Sequence, residues 1–387
     1  MTAIHRELRV ALVHYWLVSH RGGERVVEAL GDMFPQADIF TLVYDPKRTV
    51  SSISRHRIQT SFLQSFPFAT RIYQSLLPLM PMALEQFDLR GYDLVISSES
   101  GPAKGVLTGP ETCHICYCHS PMRYAWNMYP EYWQGAGRFK RLLIPPLMSR
   151  IRQWDQLSAA RVDYFVANSR NVARRIRKYY AREARVIYPP VDVSSFSVAK
   201  QGGEFYLVVS QLVAYKRVDL AVIACSKLNK RLVVIGSGAE LKKLRRIAGS
   251  SVTFLGPQPD GVVREHYRRC RALLFPGEED LGMTPIEAQA SGRPVIAYGK
   301  GGVLETVLGC QPESSSQPET SSGVFFREQT VNSVIEAIGR FESIEGRFDP
   351  AFIRSRVQIF DVSRFKAEML ALVNEKLRDF TRGAGLD

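Results

Sequence analysis

Cysteine is scarce. The 387 residues include six, three of them in the run Cys113, Cys116 and Cys118, and no framework of paired spacings appears. A disulfide-stapled secreted scaffold is therefore excluded, and a reducing, cytoplasmic compartment is expected. Long apolar runs are also missing. The N-terminal run, Val10 to Val18, is broken by His14 and lacks a small-residue cleavage site, so it reads as a buried strand and not as a signal peptide. No stretch approaches the ~20 apolar residues of a helical membrane span. Glycine and proline, 28 and 21 residues, are too few for a collagen-like or disordered chain. No short-period repeat is visible. No Gly-x-Gly-x-x-Gly follows the first strand, and Gly236-Ser237-Gly238 lacks the third glycine, which argues against a Rossmann dehydrogenase.

Acidic residues are in deficit. Asp and Glu total 38 against 51 Lys and Arg, a formal net charge of +13. This balance favours a polyanionic partner: nucleic acid, an anionic membrane face or a phosphorylated substrate. With 45% hydrophobic and 23% charged residues, the chain has the composition of a globular protein long enough for two or three domains.

Apolar strands alternate with helical patterns. Leu8–Leu17, Asp38–Val43, Tyr92–Ser97, Thr112–Cys118 and Tyr164–Ala167 are expected strands. A turn is expected at Gly22-Gly23, a helix over Glu24–Phe34, and a basic helix capped by Ser169 and carrying Arg174, Arg175, Arg177 and Lys178. Tyr188-Pro189-Pro190-Val191-Asp192 and the polar Ser194–Gly203 stretch mark a boundary. The rhythm then restarts with strands Phe205–Ser210, Leu232–Gly236, Val252–Leu255, Ala272–Phe275 and Pro294–Ala297, and helices Arg217–Leu228 and Ala239–Ala248. The fold class is α/β: two tandem doubly wound domains, with a ligand cleft expected at the carboxyl ends of the two sheets. Cys310–Ser322 is too polar to pack and is expected to be a mobile surface loop. A last helix is expected over Val362–Phe380.

The densest chemical signal is residues 276–305, PGEEDLGMTPIEAQASGRPVIAYGKGGVLE. Seven residues separate Glu279 from Glu287, with Gly282 between them. Thr284 reads as a helix N-cap, Pro285 as the first helical residue, and Glu287 as the third after the cap. Glu287 then either completes a capping box or has a chemical task. A helix N-terminus behind a glycine loop offers free N–H groups and a positive dipole end, suited to a diphosphate. Carboxylates at either end of that loop suit hydroxyls of a sugar and a ribose. Gly301-Gly302 before Glu305 is a second tight turn.

The spacing Glu279-x7-Glu287 resembles that of retaining GT-B glycosyltransferases of glycosyltransferase family 4. Tyr188–Asp192 resembles the family's interdomain stretch, Ser210–Asp219 (SQLVAYKRVD) its strand-loop-helix with a phosphate-binding lysine, and Phe254-Leu255-Gly256 precedes the 276–305 block in the family's order. Cys118-His119-Ser120-Pro121-Met122-Arg123 and Tyr215-Lys216-Arg217 look most like the O-antigen mannosyltransferase branch. The resemblance implies a GT-B fold: an acceptor-binding Rossmann-like domain over 1–190, a nucleotide-sugar-binding one over 191–361, and a C-terminal helix over 362–387 crossing back to the first. Glu279 would bind the donor sugar's hydroxyls with the amides of Gly282 and Met283, next to Thr284. Glu287 would hold the ribose. Lys216 would neutralise the diphosphate, aided by Arg217. His119 would sit beside the sugar, and Gly22 and Gly23 would let the first loop approach the diphosphate or the acceptor. The family's usual arginine is Gln211 here, which removes a charge-assisted phosphate contact.

Sugar transfer from a nucleotide needs stabilisation of the departing diphosphate. The chain has no Asp-x-Asp, so a reaction without metal or other cofactor is expected, with front-face attack and retention implied by the resemblance. The expected donor is GDP-mannose. The expected acceptor is a polyprenyl-diphosphate-linked saccharide at the inner face of the cell membrane, in cell-surface polysaccharide synthesis. Thr60–Leu89 is rich in Phe, Leu, Met and Pro, and Arg138–Trp154 interleaves Arg and Lys with Leu, Ile and Trp. Such segments suit an anionic membrane interface, the other reading being helices packed on the sheet with solvated arginines. Cys113-x2-Cys116-x-Cys118-His119 has a zinc-like look, but strand alternation turns Cys113 away from Cys116 and Cys118, so small buried hydrophobes are expected. A nucleic-acid-binding protein and a sugar-nucleotide epimerase are the alternatives; no nucleic-acid motif is visible, so no nucleic-acid partner is expected.

Overall fold

The computed structural model describes residues 8–134, 137–199, 202–310 and 317–383. It divides into two compact units, 1–190 with 363–387, and 191–362. Each is built on a seven-stranded sheet in which every pairing is parallel.

In unit 1 the strands are β1 (Val10–His14), β2 (Asp38–Thr41), β3 (Ile58–Thr60), β4 (Leu94–Glu99), β5 (Cys113–Cys118), β6 (Tyr164–Ala167) and β7 (Ala184–Val186), in the order β3-β2-β1-β4-β5-β6-β7. Strands β1, β4 and β5 are buried along their whole length. This explains the consecutive apolar residues Val10–Val13, Leu94–Ile96 and Ile115–Cys118, because a parallel sheet covered on both faces has no solvent side to alternate with. The first strand is shorter than Leu8–Leu17 suggests. It ends at His14, and Leu17 rejoins the sheet edge by a single bridge to Tyr44. Gly22 and Gly23 are not a free turn. They form the first turn of helix α1 (Gly22–Met33), where Arg21 N donates to Glu24 Oε2 at 3.0 Å.

Helix α2 spans Arg138–Ser158 with Pro145 and Pro146 inside it. Met148 and Ile151 are buried, whereas Leu142 and Leu157 are 75% and 71% exposed. Helix α3 (Arg170–Tyr180) starts where the sequence places it, with Ser169 Oγ accepting from Val172 N at 3.1 Å. Its stripe Val172, Ile176 and Tyr180 packs on Cys116 and Cys118. The i, i+4, i+8 spacing makes this one face, and each such side chain is worth about 1.5–3 kcal/mol of burial. A charged cluster lies beneath. Lys104, Glu99 and Asp155 are fully buried. Lys104 Nζ pairs with Asp155 and stands 3.6 Å from Glu99 Oε1, and Trp126 Nε1 and Tyr180 Oη donate to Asp155 at 2.7 and 3.0 Å.

Unit 2 contains β8 (Tyr206–Val209), β9 (Leu232–Ile235), β10 (Val252–Gly256), β11 (Leu273–Phe275), β12 (Val295–Tyr298), β13 (Gly309–Cys310) and β14 (Gly323–Phe326), ordered β10-β9-β8-β11-β12-β14-β13. The helices that matter for chemistry are α4 (Val218–Lys227), α5 (Asp260–Arg269) and α6 (Met283–Ala290). Of the tract Cys310–Ser322, residues 311–316 lie outside the described ones. Its end is not a solvated loop. Ser321 and Ser322 are fully buried, with Ser322 N donating to Leu308 O at 2.7 Å and Ser322 Oγ accepting from Leu308 N at 2.9 Å. Ser321 is satisfied locally, its N and Oγ donating to Pro318 O and Gln317 O at 3.1 and 2.7 Å, so each side chain of the pair enters the core ahead of β14 with a partner.

The C-terminal helix α7 (Val362–Gly383) groups with unit 1 from residue 363. Phe365, Met369, Leu372 and Val373 are buried, Phe365 lies edge-on to Tyr117, and Lys366 and Glu375 bond Asp32 and Arg185 at 3.0 and 2.8 Å.

Candidate functional site

In a doubly wound sheet, ligands bind beyond the carboxyl ends of the strands where the winding reverses. In unit 2 that point lies between β8 and β11, and a recess opens there, lined by Ser210, Lys216, Val218, Phe275, Gly277 and Glu279. Lys216 closes a short 3-10 turn (Ala214–Lys216) after β8, and its Nζ forms an ion pair with the Glu279 carboxylate. The two side chains are 15% and 21% exposed. The loop carrying Glu279 is pinned by the Gly301-Gly302 turn, with Gly302 N donating to Glu279 O at 2.9 Å. A Cβ on Gly302 would lie 2.0 Å from Asp280 O, so only glycine permits this approach. The Gly301-Gly302 pair of the 276–305 block is thus a backbone brace for Glu279.

Helix α6 starts two residues earlier than the Thr284 reading requires. Gly282, at φ 92°, is the N-cap, and Met283 is the first helical residue. Bulky Phe275 and Pro285 crowd the space a side chain would take at Gly282. Thr284 therefore lies in the first turn, and Glu287 falls a full turn inside the helix, too far along to complete a capping box. Glu287 is 8% exposed and accepts from the Tyr267 hydroxyl at 2.9 Å. Lys216 and Glu279 thus share the strand-end recess of unit 2, and α6 follows the Glu279 loop along the chain. Arg217, at φ 50°, turns its guanidinium onto Asp219 with contacts of 3.2 Å. Its charge is engaged there.

Unit 1 has its own reversal point between β1 and β4, and its chemistry differs. His14 ends β1, and its Nδ1 lies 2.9 Å from Ser98 O. A carbonyl only accepts, so the proton is on Nδ1 and Nε2 carries the lone pair. His119, just past β5, places Nε2 2.9 Å from Ser98 Oγ. Burial pushes His119 down to about 4; burial and then the neighbouring His119 push His14 down to about 3. Both rings are therefore uncharged at neutral pH. Gly23 sits against them: a Cβ there would stand 3.1 Å from Tyr15 Oη and 3.8 Å from His119 Nε2. The structure thus brings His119 and Gly23 together within unit 1. His14, Ser98 and Tyr267 carry no motif. His14 showed in the sequence only as a break in an apolar run, and Tyr267 is one aromatic in a basic helix.

Cys113 faces away from Cys116 and Cys118, and all three are buried thiols. Among the described residues, no group of three or more His, Cys, Asp or Glu side chains is placed to hold a metal, and no helix is long and apolar enough to cross a membrane.

Comparison with known proteins gives two consecutive matches. The Glycosyltransferase Family 4 domain matches residues 20–195, and the Glycosyl transferases group 1 domain matches residues 192–346. An alpha-1,3/1,6-mannosyltransferase of Saccharomyces cerevisiae is 24% identical over 65% of this chain and 59% of its own length. A D-inositol 3-phosphate glycosyltransferase of Nocardiopsis dassonvillei is 29% identical over 42% of this chain and 46% of its own. A GDP-mannose-dependent alpha-(1-6)-phosphatidylinositol monomannoside mannosyltransferase of Mycobacterium tuberculosis is 27% identical over 45% of this chain and 46% of its own. The chain thus spans about half to three-fifths of the length of these relatives. In three dimensions, Anabaena HepE in complex with UDP and glucose superimposes with TM-score 0.69 over 95% of this chain and 100% of its own, at 14% identity. Sucrose-phosphate synthase of Thermosynechococcus elongatus does so with TM-score 0.69 over 95% and 99%, at 18% identity. The fold is GT-B, with two Rossmann-like domains, and the chain carries glycosyltransferase domains of both types.

Proposed function

We propose that the chain is a retaining hexosyltransferase. It takes mannose from GDP-mannose and transfers it to a polyprenyl-diphosphate-linked saccharide at the cytoplasmic membrane surface. The observation that carries this reading is the Lys216–Glu279 ion pair at the strand-end recess of unit 2, beside the start of α6. Lys216 and the α6 amides supply positive potential for the departing diphosphate, whose developing charge is the main electrostatic demand of the reaction. Glu279 accepts from hydroxyls of the donor sugar, and Glu287 accepts from the ribose. Arg217 joins the diphosphate by leaving Asp219. The proton of the attacking hydroxyl goes to the donor phosphate as the bond to the anomeric carbon forms on the same face. No metal enters this scheme, so transfer is expected to survive EDTA, and full loss with rescue by a divalent cation would overturn that part.

Unit 1 takes the acceptor. Its strand-end cluster of two uncharged imidazoles with Tyr15, Ser98 and Ser100 suits hydroxyls better than phosphates. The mannosyl donor is supported by the mannosyltransferase activities for which the yeast and mycobacterial relatives are named. The lipid-linked acceptor is supported by the apolar and basic exposure of unit 1: Phe68 and Leu142 are 71% and 75% exposed, and Arg71, Arg141 and Arg150 are exposed as well.

A thermal-shift panel of GDP, UDP, ADP and dTDP sugars tests the donor. A ligand that binds only the folded state at 100 times its Kd adds about 2.7 kcal/mol. GDP-mannose is expected to give the largest shift. A shift with UDP sugars alone would change the donor and leave the fold as it is, and an inverted anomeric product would exclude front-face attack.

A further inference from the structure

Cations on the surface of unit 2 such as Arg231, Arg268, Lys300 and Arg347 meet carboxylates. One face departs from that pattern. The short helix Leu241–Ile247 turns Leu241 and Leu244, and Ala248 just beyond it, toward the core of the unit. That i, i+3, i+7 spacing leaves Lys242, Lys243, Arg245, Arg246 and Ile247 outside, and all five are exposed. Lys243 Nζ pairs with Glu240 at 3.1 Å. Lys242, Arg245 and Arg246 have no acidic partner among the described residues. Gly249 N donates to Ser226 Oγ at 2.8 Å, which ties the end of this helix to the last turn of α4. Lys227 is exposed there, and it too has no acidic partner among the described residues.

Helix energetics accounts for part of the cluster. Lys227, Arg245 and Arg246 close their helices, where a cation favours the negative end of the dipole. Lys242 is in the first turn, at the positive end, and gains nothing there. We propose that Leu241–Ile247 and Lys227 form a docking face of unit 2 for an anionic lipid surface. The inference rests on the reading that the chain works at a membrane, and it gives unit 2 a hold of its own there. Headgroups in a fluid leaflet move to meet scattered cations and need no register. Ile247, 37% exposed beside Arg246, is an apolar side chain placed to enter the interface. Single-stranded nucleic acid would instead need aromatic faces for its bases, and this helix carries none. Both helices run back between parallel strands, so Lys227, Arg245 and Arg246 lie toward the amino ends of the strands. The recess with Lys216 and Glu279 is at the carboxyl ends, so docking leaves it open.

The test is co-sedimentation of the whole chain with two kinds of vesicle, pure phosphatidylcholine and equal parts phosphatidylcholine and phosphatidylglycerol. A cation at an anionic surface is worth about fivefold in partition. The triple variant Lys242→Gln, Arg245→Gln, Arg246→Gln is expected to bind the mixed vesicles about 30- to 100-fold less at low salt, with the gap narrowing as salt is raised. Its melting temperature and its titration with GDP are expected to match the native protein. The single variants Lys227→Gln and Lys242→Gln carry the same test at about fivefold each. Native-like binding of the mixed vesicles by the triple variant would overturn the proposal. So would a triple variant that keeps its vesicles and loses single-stranded RNA, which would make the partner a nucleic acid. If the native protein binds neither kind of vesicle, it is the membrane reading that fails.

Discussion

Removing a negative charge from the unit 2 recess should tighten one ligand and cripple another. In the free protein Lys216 is paired with Glu279. A diphosphate drawn to Lys216 must share that ammonium with a carboxylate, and two acceptors at ~2.8 Å from one nitrogen stand about 4–5 Å apart. Their repulsion is about 3–4 kcal/mol at an effective dielectric near 20 and about 1 kcal/mol in bulk water. With side chains 15% and 21% exposed, the site lies between these limits, at about 1.5–2 kcal/mol or roughly a tenfold to thirtyfold effect. Glu279→Gln keeps the shape and removes the charge. Titration calorimetry with GDP at low salt is expected to show binding tighter by that factor, with the gain shrinking as salt is raised. The same variant is expected to transfer mannose about 10–100-fold more slowly, because a neutral amide replaces a charged acceptor for the sugar hydroxyls. GDP binding that is unchanged or weaker in Glu279→Gln at low salt would refute the shared-ammonium reasoning, whatever happens to transfer.

The buried cluster of unit 1 makes a pH prediction. Burial, only partly offset by Lys104, holds the Glu99 carboxyl up at about 7, so Glu99 stays protonated in the folded state over a range where it is ionised in the unfolded chain. That contribution is full below the ordinary carboxylate value and is lost as pH rises through about 7. Glu99→Gln should flatten the fall in urea-unfolding stability between pH 5 and 8; an unaltered slope would count against it. Lys104→Met should cost about 3–5 kcal/mol by stranding Asp155, and a loss below about 1 kcal/mol would show that the cluster is hydrated. Gly302→Ala should displace the Glu279 loop and cut transfer about a hundredfold while the far-ultraviolet circular dichroism stays native; near-normal transfer would mean the brace is unnecessary. Replacing exposed Leu142 and Leu143 by Ser together should weaken co-sedimentation with anionic vesicles but not nucleotide binding, and vesicle binding equal to the native protein would remove α2 from the membrane reading.

Much of the architecture was legible from the residues. Strands such as β4 and β5 announce themselves because both faces of a parallel sheet are covered, so apolar residues follow one another, as in Leu94–Ile96 and Ile115–Cys118, with no polar alternation. Ser169 marks the start of α3 because an N-cap bond is local, reaching only to Val172. The spacing of Glu279, Gly282 and Glu287 put a loop and a helix start in the right stretch. Its details depended on packing. Phe275 and Pro285 confine the residue at position 282, so the helix begins at Met283 and Glu287 lies too deep to cap it. The polar serines at 321 and 322 enter the core because each finds backbone partners, Ser322 on Leu308 and Ser321 on Gln317 and Pro318.

The sequence by itself determined the alternation of strands and helices, the two-domain rhythm, and which residues of the 276–305 block bear charge, because each of these is written in contacts between near neighbours along the chain. Only the tertiary structure decided that Lys216 rests on Glu279, that Tyr267 reaches Glu287, and that one serine, Ser98, meets both His14 and His119. Those pairs join strand ends and helices distant in sequence, and such contacts come into being only when the sheet order brings the ends side by side.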